Sequence, residues 1–168
     1  TRLSTEAAEY ARLLGFRVVS VNLTPASGAT PHSLVLEIAE AVRSLPGSAG
    51  AAPAAMALID RLLRQSTDAD VPAALSFAGN SLEAVAWAVH ELIRAASHEV
   101  RLIMIIDDLH HADTDSQRLI GIAARATSNC RVGWIATRRT SPSNAFSTEG
   151  ALGWLSVLSV GQLSDPDA

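Results

Sequence analysis

Five consecutive apolar residues, Leu102-Ile-Met-Ile-Ile106, run directly into two acids, Asp107 and Asp108. The run does not alternate, so it is not a strand with one face in water. It has the character of a strand covered on both faces, which belongs inside a parallel sheet flanked by helices. The rest of the chain offers matching parts. Residues 16–23 read as a Val-rich strand, 132–137 as another and 152–160 as a fourth, with helical spacing of apolar residues between them. Strands separated by helices imply right-handed crossovers and predict a three-layer α/β/α sandwich with a mostly parallel sheet.

Helices are expected at five places. Over 3–14, Leu3, Ala7, Tyr10, Ala11 and Leu14 share a stripe, and Gly15 supplies a left-handed stop. A second starts at Thr30 and Pro31, carries Leu34, Ile38, Val42 and Leu45, and stops at Pro46-Gly47. The small-residue linker 46–53 leads to a third around Met56, Ile59, Leu62 and Leu63, and Pro72 and Gly79 argue against one long element across 65–79. Asn80 or Ser81 caps a fourth with Leu82, Val85, Val89, Leu92, Ile93 and Ala96 on one face. Asp113 or Thr114 caps the fifth, with Leu119, Ile120, Ala123 and Ala124 inward. With 168 residues, 48% hydrophobic and only 4% aromatic, the chain fills one aliphatic core, read as a single domain over 1–168.

The charge pattern excludes several classes of function. All 13 basic residues are Arg, so 1–168 holds no ε-amine for Schiff-base chemistry and no phosphate-binding lysine. Dispersed Arg and a net charge of -4 give no basic stripe, which argues against direct nucleic-acid binding by this domain. Cys130 is alone, so no internal disulfide forms, and it is read as chemically inert. No apolar run approaches the ~20 residues that cross a bilayer, so no membrane partner is expected. The chain opens on a polar helical stretch in place of a leader, and the expected location is cytoplasmic. His32, His90 and His98 read as surface residues, and Trp87, Trp134 and Trp154 as packing.

Chemistry concentrates after the apolar run. In open α/β sheets ligands sit beyond the carboxyl ends of the strands, and adjacent acids there are costly without a cation or a water to act on. Asp107 and Asp108 are therefore the leading candidates. At the end of the next strand comes Ile135-Ala-Thr-Arg138-Arg139, where an Arg can reach an anion held near Asp107. The cluster Asp107, Asp108, His110, His111 and Asp113 also suits a metal-dependent hydrolase, provided further ligands come from elsewhere.

Ile105-Ile-Asp-Asp-Leu-His-His-Ala-Asp113 resembles the Walker B segment of signal-transducing P-loop NTPases of the STAND class, especially the AAA-type ATPase domain of large LuxR-type bacterial transcriptional regulators. Their usual pattern is Asp-Asp-Leu-His-Trp-Ala-Asp, so His111 replaces Trp, as a packing substitute. Ile135-Ala-Thr-Arg-Arg139 looks like their sensor segment, and 155–165 like the strand and turn that close their core. Thr1-Arg-Leu, with its Ala-rich helix and Val-rich strand, is similar to the segment just after the Gly-Lys of their phosphate loop, which makes Thr1 that loop's Thr.

The resemblance implies a regulatory switch that binds and hydrolyses ATP, with ADP as product and Mg²⁺ as cofactor. It gives Mg²⁺ to Asp107 and Thr1, the attacking water to Asp108, the terminal phosphate to Arg138 or, one residue later, Arg139, and the posture of the acid loop to His110. It further implies an effector or DNA-binding domain outside this chain and a nucleotide-dependent oligomer. The first strand and phosphate loop fall outside 1–168, so the fragment alone is expected to be inactive, with a gap in the sheet or a changed pairing of 152–160. Two other readings share these residues: an initiator-like AAA+ ATPase acting on DNA, and a non-catalytic nucleotide-binding or interaction module.

Overall fold

The run of five apolar residues becomes the middle strand of a parallel sheet. In a computed structural model of the chain, residues 2–27, 32–67, 81–139, 156 and 158–161 are described. Along them lie helix α1 (Arg2–Leu13), strand β1 (Arg17–Asn22), α2 (Ser33–Arg43), α3 (Pro53–Thr67), α4 (Leu82–Glu99), β2 (Leu102–Asp107), α5 (Thr114–Ala126) and β3 (Val132–Ala136). Short 3-10 turns occupy Ser48–Gly50 and Leu109–His111. The sheet order among the described residues is β1-β2-β3, all parallel. Helices cover both sides, so the α/β architecture expected from the pattern is present.

Register sorts the side chains between the two faces. Val19, Met104 and Trp134 are neighbours across the strands, and so are Val21, Ile106 and Ala136. Val19, Val21, Met104 and Ile106, with Leu102, join the buried core formed with α2, α3, α4 and α5. Ile103, Ile105 and Asp107 alternate to the opposite face, where α1 packs on β1 and β2. Because both faces of β2 are covered, five of its six residues are buried and Ile103 is half-buried.

The helices follow their sequence signals closely in three cases. In α2, Leu34, Ile38 and Val42 are buried as expected, and in α5 so are Leu119, Ile120, Ala123 and Ala124. Ser81 caps α4 by accepting the Ala84 amide, and α4 buries a broad face because α2, α3 and α5 all lean on it. Among the described residues no helix is long and apolar enough to cross a membrane.

α1 forms and ends at Gly15 as expected: Gly15 has φ 79, its amide bonds the Arg12 carbonyl at 2.9 Å and the Phe16 amide bonds the Ala11 carbonyl at 3.0 Å. Its buried face, however, is Ser4, Ala8 and Ala11, while Leu3 and Tyr10 are 58% and 65% exposed and Leu14 is also exposed. Small side chains at i, i+4 and i+7 let the helix lie close to the sheet, which a stripe of Leu and Tyr would prevent. α2 begins at Ser33 with His32 as N-cap, and the expected start at Thr30 and Pro31 lies outside the described residues. Of the fourth strand, Ser156, Leu158, Ser159 and Val160 are described; they have no strand structure and are exposed, and the rest of 152–160 lies outside the described residues. β3 is therefore an edge of the described sheet.

Gly47, expected to stop α2, sits at φ 82 with its missing Cβ position 3.0 Å from the Ala95 carbonyl oxygen. An alanine there would meet both the left-handed penalty and α4 backbone that cannot step aside. Gly47→Ala should cost about 2 kcal/mol, against about 1 for Gly15→Ala, where only the tip of Arg101 is near. The two urea midpoints, at equal m, test the ranking; the reverse order would contradict the packing.

Candidate functional site

β2 ends on Asp107, whose register partner in β1 is Asn22, and the last β3 residue, Ala136, pairs with Ile106. Thr137 therefore leaves the sheet beside the acid. Its amide donates to the Ile106 carbonyl at 2.9 Å, and its own carbonyl accepts from Leu109 at 2.8 Å. Its hydroxyl donates to Asp107 Oδ1 at 2.5 Å and accepts the Asp108 amide at 2.9 Å. One side chain thus fixes both acids.

Asp107 is 4% exposed. Burial works to raise its carboxyl, and the hydrogen bonds from the Thr137 and Ser4 hydroxyls work to lower it. Ser4 belongs to the first turn of α1, so the amino end of that helix abuts the acid at the end of the central strand. A ligand shared by the helix terminus and the strand-end acids needs this juncture.

Asp108 turns the chain. It has φ 57 and ψ 44, a left-handed conformation that Asp tolerates better than most residues, and it starts the turn Leu109–His111. Its Oδ1 lies 3.7 Å from His110 Nδ1, which the Arg139 amide approaches at 3.5 Å. The His111 ring lies 4.0 Å from that of His110, tilted by 40°. Arg138 and Arg139 follow Thr137 at the same edge, and both are exposed. Thr1 lies outside the described residues. Asp107, Asp108, His110 and Arg139 are thus brought to one edge with Arg138 adjoining them.

Asp113 caps α5: Oδ1 accepts the Ser116 amide at 2.9 Å, and Oδ2 accepts the Ser116 hydroxyl at 2.6 Å. Oδ2 also accepts the His32 amide at 3.0 Å, and His32 Nδ1 stands 3.8 Å from Oδ1. His32 is therefore not a surface residue; its side chain is 12% exposed, against Asp113 and at a backbone φ of 63. With Asp113 committed in this way, the five-residue metal cluster does not assemble: among the described residues no three His, Cys, Asp or Glu side chains are grouped to hold a metal ion. A magnesium ion bound to phosphates makes a smaller demand, one or two carboxylates, and Asp107 supplies a hard, anionic oxygen donor.

Three contributors are not evident from sequence. Thr137 stands inside the run conspicuous for its arginines, and its place at a strand end beside Asp107 is the available signal. Ser4 can be found only from the small-residue face it shares with Ala8 and Ala11. Nothing in the sequence marks His32, which lies 81 residues from its partner. Compared with protein-family models, with curated proteins and with solved structures, the chain matches none.

Proposed function

We propose that this chain is the core of a P-loop ATPase of the STAND type, a switch whose ATP or ADP state governs a larger regulator. The observation that carries the reading is the contact of the first turn of α1 with the buried anion Asp107 at the carboxyl end of the central strand. In such proteins the phosphate loop leads into this helix, so the phosphates would lie between the amino end of α1 and the strand-end acids.

Asp107, held anionic and aimed by Thr137, would be the ligand of Mg²⁺, with Thr1 as its companion. When bound, the ion neutralises charge on the phosphoryl oxygens. Asp108, half-buried on its left-handed turn, would orient the attacking water and take its proton. His110 braces that turn from the Arg139 side. Arg138, or Arg139, would meet the terminal phosphate with an exposed guanidinium. Turnover would be slow, because nucleotide state here acts as a ligand that shifts populations.

The test is ATP hydrolysis by the full-length protein beside its Asp108→Asn variant. Asn keeps the left-handed turn and removes the base, so the rate should fall about 100-fold with nucleotide binding retained. Equal, measurable rates would take Asp108 out of catalysis, and nucleotide binding without hydrolysis by either protein would favour a non-catalytic nucleotide-binding module.

A further inference from the structure

Two non-glycine residues have positive φ among the described residues, His32 at 63 and Asp108 at 57. Both sit at the carboxyl edge of the sheet, and each is held by a side chain from another segment. The Asp108 amide is caught by the Thr137 hydroxyl, and the His32 amide by Asp113 Oδ2. Left-handed residues of this kind persist only where their surroundings over-determine them.

Between Asp108 and Asp113 the backbone has little freedom. His111 donates to the Asp108 carbonyl at 2.9 Å, Ala112 to the Leu109 carbonyl at 3.1 Å, and the Gln117 side chain ties the Ala112 carbonyl at 2.7 Å. Leu109 is buried under the turn. On the far side, the Leu36 amide bonds the His32 carbonyl at 3.1 Å, and the Ser33 hydroxyl bonds the Ser27 carbonyl at 3.0 Å. A hydrogen-bonded lever thus runs from Thr137 through the acid loop to the start of α2.

We infer that the His32–Asp113 contact is a clasp that makes the acid loop and the first turn of α2 open and close as one unit. Any event that shifts Asp107 or Asp108 is then felt at α2 through this contact. The inference concerns the protein alone and stands whether or not the ligand is a nucleotide.

Native-state amide hydrogen exchange tests it, referenced to Leu92 and Ile93 in α4 so that a general loss of stability cancels. In the unaltered protein the amides of His32, Leu36, Asp108 and Leu109 should exchange through one opening with a common urea dependence. Thr137→Val should speed exchange about tenfold at Asp108 and by a comparable factor at His32 and Leu36. Thr137→Ser should return both ends to the original protection. Asp113→Asn supplies the reciprocal arm, perturbing His32 and read at Asp108 and Leu109. Different urea dependences at the two ends, or acceleration confined to the altered side in either variant, would overturn the clasp.

Discussion

Asp113→Ala should destabilise the fold by about 3 kcal/mol. The carboxylate accepts the Ser116 amide, the Ser116 hydroxyl and the His32 amide. Loss of an N-cap costs about 1–2 kcal/mol, and a part-buried amide left without its acceptor adds about 1–2 more. For a chain of this size that is a fall in Tm of about 10 °C. Thermal unfolding checks it, and a loss under about 1 kcal/mol would show that the bonds are replaceable by water.

The same residue sets part of the acid response. Burial works to raise the Asp113 carboxyl, but the Ser116 hydroxyl and amide, then the His32 amide and imidazole, hold it below the ordinary aspartate value. A group whose folded value is depressed contributes fully above the unfolded value, about pH 4, and its contribution fades as pH falls through the folded one. Stability of the native protein should therefore drop below about pH 4, and Asp113→Asn should flatten that part of the curve. A variant with an unchanged acid limb would assign the drop to other carboxyls.

Asp107→Asn should act in the opposite manner, leaving the fold and removing the chemistry. The amide oxygen of Asn still accepts the Thr137 hydroxyl, so the end of β3 stays in place. What disappears is the negative charge. Under the proposed function, magnesium-dependent ATP hydrolysis should fall about 1000-fold, and nucleotide affinity should no longer respond to Mg²⁺. Titration of ATP with and without Mg²⁺ on both proteins measures this. Unaltered magnesium dependence would remove Asp107 as the metal ligand.

The legible parts of this fold are those where pattern and burial coincide. β2 can be read because five apolar residues in a row have no other good place than a doubly covered strand. The caps at Ser81 and Asp113 are readable because a short polar side chain before an apolar-periodic run satisfies the helix amides locally. α1 is legible as a helix and not as a packed surface. Its large apolar residues set the hydrophobic period, yet the close fit to the sheet selects Ser4, Ala8 and Ala11.

The site divides along the same line. The sequence by itself determined that two acids follow a buried strand, that an arginine pair follows the next, and that all the basic residues of 1–168 are Arg, because composition and order along the chain settle these points. Tertiary structure alone decided that Thr137 locks both acids, that Ser4 brings the amino end of α1 to Asp107, and that His32 is buried against Asp113. These contacts join residues distant along the chain. Strand order and register set them, and neither is written in the local spacing of side chains.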